Sequence, residues 1–204
     1  MKIRITPGAV LFLATLAFER DLLFLSSILA ALFHECGHLL AANVLKIRIR
    51  MLEIDLMGAK IYLAGSVPSY RAELALAGAG PLFSLLLAIP ATALRSPFGE
   101  ALLTATLSFA LFNLLPISGF DGGRMLHAAL AAIWNARQAD RVLFVTTYLS
   151  LLLMFSLSAC LLLRFGEDAT LAVLSASLFA QLFLSLDAPD KKREFERKRE
   201  HTKG

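Results

Sequence analysis

Long apolar runs, separated by short charged breaks, constrain this chain more than any other feature. Six runs can be marked, at about 8–18, 22–45, 72–94, 101–118, 142–163 and 169–186. A helix needs about 20 mostly apolar residues to cross a bilayer. The expected fold is therefore an all-α polytopic membrane protein of about six transmembrane helices. Of the 204 residues, 57% are hydrophobic and 18% charged, where soluble domains carry about 25% charged. That balance excludes a disordered chain, a collagen-like fibre and a typical soluble enzyme. Residues 1–186 read as one membrane-embedded domain and 187–204 as a charged cytoplasmic tail. The first run is short for a span, and Ile3 is its earliest start. No small-residue cleavage site precedes Glu19-Arg20-Asp21, so the run reads as a span rather than a removed signal peptide.

The net charge of +4 matters less than its distribution. Taking the segments between the runs alternately, 17 of the 20 Lys and Arg residues fall on one side and 3 on the other. Basic residues stay in the cytoplasm, so both termini are expected there. The asymmetry points to the lipid bilayer as partner and not to nucleic acid. The tail, Lys191 to Lys203, mixes seven basic with three acidic residues and reads as a solvated helix touching anionic lipid heads. The stretch 46–71 alternates apolar and polar in Leu52-Glu53-Ile54-Asp55-Leu56 and, more weakly, in Lys60-Ile61-Tyr62-Leu63. That period predicts a short β-hairpin at the cytoplasmic face. Cys36 and Cys160 lie in apolar runs and read as small buried hydrophobes, not a disulfide pair. Trp134 reads as an interface residue, with Tyr148 a weaker case.

The second run contains His34-Glu35-Cys36-Gly37-His38, an H-E-x-x-H pattern. Four residues at 100° each bring both imidazoles to one helix face, one turn apart. They can then meet one zinc ion. Glu35 lies about 100° round the helix. It can reach a water at the metal without ligating, and act as general base. In a chain of this composition the pattern is expected by chance about 0.003 times. Ionisable residues inside a span are also costly and usually functional. Catalytic zinc usually takes three protein ligands, so a third should come from another segment. The acidic candidates are Glu73, Glu100, Asp121, Asp140 and Asp187. Asp121 stands out, because Pro116 and the glycines around it break the fourth run. Irregular backbone at membrane depth is tolerated where protein or a polar cavity surrounds it. His38 lies seven residues before Leu45, which puts the metal about 10 Å inside the cytoplasmic boundary.

These paired motifs, H-E-x-x-H in one span and Asn113-x-x-Pro116-x-x-x-x-Asp121-Gly122 in a later one, resemble the site-2 protease family of intramembrane zinc metalloproteases. The resemblance covers about residues 8–186. The six-run layout, Ala79-Gly80-Pro81 entering the third run and the stretch around Gly58 look most like the sporulation stage IV factor B branch. The resemblance implies one zinc per chain held by His34, His38 and Asp121, with Glu35 activating water. It implies that Asn113 hydrogen-bonds the substrate or the developing oxyanion, and that the hairpin offers an edge to extended substrate. Pro116 and Gly122 would be structural parts of the motif. The implied substrate is a membrane protein, cut in or near a transmembrane segment: a sporulation pro-sigma factor by the branch resemblance, with an anti-sigma factor or a signal-peptide remnant fitting equally well. Regulatory membrane proteins are implied as further partners, and the bacterial cytoplasmic or forespore membrane as the location. The sequence departs from the family at Ser84, where members often have Asn but where serine can still hydrogen-bond, and has no space for a PDZ or CBS domain.

The rival class is a divalent metal transporter or metal-binding membrane protein, since buried histidines and carboxylates also line ion paths. A transporter of that kind should show inverted repeats; the His34–His38 pattern does not recur in the second half. His127 reads as a helix-face residue and His201 as part of the solvated tail. Arg124 has two readings, first a marker of the cytoplasmic face and second a charged hydrogen-bond partner that holds Asp121.

Overall fold

The charged and proline-containing breaks become helix ends in the computed structural model, which describes residues 2–5, 21–55, 58–65 and 67–165. Helix α1 spans Leu22–Val44, and the Asp21 side chain caps it by accepting from the Leu23 N–H at 2.9 Å. Helix α2 spans Tyr70–Ala93 and is capped by Ser69. Helix α3 spans Pro97–Asn113, with Ser96 as cap. Hydroxyl and carboxylate side chains at these positions satisfy backbone N–H groups that the helix cannot. Helices α4, Asp121–Ile133, and α5, Ala136–Phe165, follow.

Helices α1, α2 and the Ala136–Cys160 part of α5 are long and apolar enough to cross a membrane. The chain is therefore a membrane protein with three candidate spans among the described residues. The expected runs at 8–18 and 169–186, and the tail 187–204, lie outside those residues. The fourth run is corrected in its boundaries. Its helix begins at Pro97 and stops at Asn113 after 17 residues, because proline is favoured in a first turn and Pro116 cannot continue the helix. Two compact units divide the chain within α5, residues 1–144 and 145–204. Of the second, the structure describes the helical stretch 145–165.

Packing in the first unit is built on small residues. Ala30, Ala42, Ala77, Ala91, Ala105 and Ala128 are buried, whereas Leu32, Leu82, Ile89 and Leu111 are exposed. In lipid, burying leucine inside gains little over leaving it outside, so close backbone approach decides the interface. Gly37 shows this: a Cβ there would meet the Ala79 carbonyl oxygen of α2 at 2.5 Å. Cys36 and Cys160 are exposed, which corrects the expectation of buried cysteines. An outward position on a span faces lipid, where a small apolar side chain is equally stable.

The hairpin is present. Strands β2, Ile49–Asp55, and β3, Gly58–Leu63, pair antiparallel, with an irregularity between Ile49 and Met51. A further strand, β1, Lys2–Ile5, pairs parallel to β2, so the sheet order is β1-β2-β3. Ile3 thus lies in a strand and not at the start of a span. The alternation Lys2-Ile3-Arg4-Ile5 carries the strand period and β-branched residues, a signal that its basic charge obscured. Helix α1 enters the sheet through a tight reversal. Ile47 N–H donates to the Ala42 carbonyl at 2.8 Å, with Lys46 at φ 55°, a left-handed helix end usually made by glycine.

Candidate metal centre

One turn of α1 places His34 and His38 on its inner face, where both are buried. Each ring is held at Nδ1 by α2. His38 Nδ1 lies 2.8 Å from the Leu76 carbonyl, and His34 Nδ1 lies 3.1 Å from Ser84 Oγ. A carbonyl only accepts, so His38 carries its proton on Nδ1 and presents a lone pair at Nε2. The Ser84 hydroxyl can accept from His34 in the same way. Phe109 of α3 meets the His34 ring edge-on at 5.0 Å.

The carboxylate arrives from a different element. After α3, the chain turns through Leu114 to Phe120, with Ile117 buried and Gly119 at φ 98°. It re-enters a helix at Asp121. A Cβ on Gly122 would collide with the Leu114 carbonyl, and one on Gly123 with the Ile117 carbonyl. These two glycines let the first turn of α4 lie against the preceding backbone, which aims Asp121 at α1. Asp121 Oδ2 then sits 3.0 Å from His34 Nε2 and 3.1 Å from His38 Nε2, and the two Nε2 atoms are 3.1 Å apart.

Three donor atoms therefore converge on one point. A tetrahedral zinc ion at about 2.0–2.1 Å from nitrogen requires donor separations of about 3.3 Å, close to the triangle observed. Lone pairs of two neutral imidazoles and a carboxylate repel one another unless a cation or a proton stands between them. The donor set, nitrogen and oxygen without sulfur, suits zinc. The Nδ1 partners are the outer contacts that fix a ligating histidine. Gly80 of α2 completes the fit, since a Cβ there would collide with the Nε2 atoms of both histidines. The hydrogen on Gly80 leaves open the space into which both lone pairs point.

Glu35 is half-buried and stands outside the three-donor group. Asn113 ends α3, and its side-chain N–H donates to the Phe109 carbonyl at 3.0 Å. Pro116 lies in the turn before Asp121. Ala79-Gly80-Pro81, expected at the entry of a run, lies in the middle of α2. Among the described residues, His127 pairs with Asp140 at 3.0 Å and takes no part in the donor group. It lines a cleft of about 740 Å³ with Tyr70, Glu73 and Arg124. Three contributions escaped the sequence reading: the Leu76 carbonyl, the space above Gly80, and a Glu73–Arg124 ion pair. A backbone carbonyl leaves no sequence signal. Gly80 was visible only as one letter of a motif.

No protein-family model matches the chain. Rip3, a candidate zinc metalloprotease of Mycobacterium tuberculosis, is 33% identical over an alignment of 132 residues in each of two strains. The alignment takes in 59% of this chain and 32% of Rip3, so the chain spans about a third of the length of the curated relatives it matches. Among solved structures, the site-2 protease from Methanocaldococcus jannaschii superposes with a TM-score of 0.59 at 21% identity, over 89% of each chain. The two chains share a fold.

The space above Gly80 generates a prediction. Gly80→Ala should abolish zinc binding with every ligand in place, whereas Gly78→Ala, whose Cβ would make only ordinary contact with Met125, should bind normally. Zinc analysis of the two purified variants is the check. Normal zinc in Gly80→Ala would mean that the metal lies elsewhere.

Proposed function

We propose that this chain is an intramembrane zinc endopeptidase of the site-2 protease type, hydrolysing a peptide bond in or near a transmembrane segment of a membrane protein. One observation carries the reading: His34, His38 and Asp121 converge from two helices, while Glu35, adjacent in the motif, stays out of the group. A transporter site has no use for a neighbouring carboxylate withheld from the metal; a hydrolase requires one. The fold shared with the archaeal site-2 protease and the identity to Rip3 support the same reading. The assignment to the sporulation stage IV factor B branch, with a pro-sigma factor as substrate, rests on the motif layout described above.

One zinc per chain, bound by His34, His38 and Asp121, would supply Lewis-acid polarisation of the scissile carbonyl and the attacking water. The chain's own residues supply the rest. Glu35 takes a proton from water as the water oxygen attacks the carbonyl carbon. It returns that proton to the amine nitrogen as the C–N bond breaks. Asn113 has a second N–H beyond the one given to Phe109, and we assign it to the developing oxyanion. Unwinding a substrate helix in lipid exposes backbone groups at several kcal/mol each. An edge of the β2–β3 hairpin would satisfy them by strand addition. The bond cut should therefore lie in the cytoplasmic half of the substrate span or just beyond it.

Two experiments test this. Glu35→Gln keeps size but removes basicity, so it should retain zinc and lose cleavage, whereas His34→Ala and Asp121→Ala should lose both. Zinc analysis and mass spectrometry of the released fragment read the outcome. Loss of zinc from Glu35→Gln equal to that from Asp121→Ala would make Glu35 a ligand, and a cut in the outer half of the span would contradict the depth. For topology, we infer from the basic-residue asymmetry that both termini lie in the cytoplasm. Reporter fusions that put the tail outside would overturn that arrangement.

A further inference from the structure

We propose that Glu73 and Arg124 are positioning residues that hold Asp121 in its ligating orientation; this rests on the reading of His34, His38 and Asp121 as a zinc site. Asp121 turns one oxygen, Oδ2, to both histidines at 3.0 and 3.1 Å. Its other oxygen, Oδ1, faces Arg124 Nη1 at 3.7 Å, one turn along α4. Arg124 is in turn gripped by Glu73 of α2. Its Nε donates to Glu73 Oε1 at 2.8 Å, and its Nη2 lies 2.7 Å from the same oxygen.

The two carboxylate oxygens of an isolated aspartate are equivalent, and the group can turn about its last bond. A guanidinium beside Oδ1 removes that equivalence and leaves Oδ2 for the metal. The guanidinium would itself swing among rotamers if Glu73 did not fix it from a second helix. Glu73 stands three residues before Leu76, whose carbonyl orients His38. One turn of α2 thus holds a histidine ligand directly and the carboxylate ligand through Arg124.

A plain structural tie between α2 and α4 is the competing explanation. Arg124 and Glu73 are 37% and 23% exposed, and pairs so placed contribute little to stability. The two explanations part in a charge swap. Exchanging the residues, Glu73→Arg with Arg124→Glu, restores a tie but sets a carboxylate against Asp121.

The experiment is zinc affinity of the purified full chain in detergent, by competition with a chromogenic chelator, with the melting temperature of the metal-free protein beside it. Arg124→Gln should weaken zinc binding about 10- to 100-fold, the range for partners of metal ligands. Glu73→Gln should weaken it in the same direction by less. The swap should bind no better than Arg124→Gln while the metal-free protein melts near wild type. Arg124→Lys, which keeps the charge, should bind more tightly than Arg124→Gln. Wild-type affinity in Arg124→Gln or in the swap would overturn the proposal, as would equal weakness of the Lys and Gln variants. Those failures leave the zinc reading intact. A wild-type chain that binds no zinc, indistinguishable from His34→Ala, would overturn both.

Discussion

Three lone pairs aimed at one point among apolar helices are the constraint on which the rest of this structure depends. Two imidazole nitrogens and a carboxylate oxygen lie within 3.1 Å of one another, and each is taken out of water by burial. Buried polar groups need partners, and like lone pairs cannot partner one another. A divalent cation resolves the conflict in a single step. It also explains why the two Nδ1 atoms are committed elsewhere, to Ser84 and Leu76. A histidine restrained at one nitrogen keeps the other aimed.

The surrounding architecture follows from the space such a centre needs. Helices bearing large side chains could not bring α1, α2 and α4 close enough. Gly37 lets α1 approach the Ala79 carbonyl, and Gly80 leaves the centre open. Gly122 and Gly123 let the α4 terminus fold against its own approach segment. The larger apolar side chains, such as Leu32 and Leu111, are turned outward. There they match the lipid, and a small-residue interior is what remains between the helices.

Much of the site was legible in the sequence because its signal is local. H-E-x-x-H is a helix-face pattern readable from four positions, and Asp121 was singled out by the proline and glycines that interrupt a run. The boundaries of α1 and α2 followed from charge and hydropathy, since capping residues sit at the edges of the apolar segments. What escaped is non-local. The strand at Lys2–Ile5 pairs with residues almost fifty positions away, and its alternation was masked by basic residues that suggested a span flank. The outward placement of Cys36 could not be read either, because composition does not separate a lipid-facing side from a core-facing one. Ser84 departs from the family pattern but keeps a hydroxyl able to hydrogen-bond, and its contact with His34 uses that capacity; which residue it would bond was not legible in the sequence.

X-ray absorption at the zinc edge of the purified chain reports the atoms around the metal without reference to activity, and so probes the His34, His38 and Asp121 site itself. The expected spectrum shows a four-coordinate shell of nitrogen and oxygen at about 2.0–2.2 Å, with the multiple-scattering signature of two imidazoles. A sulfur shell at about 2.3 Å, or a shell without imidazole, would place the metal away from His34, His38 and Asp121 and contradict it.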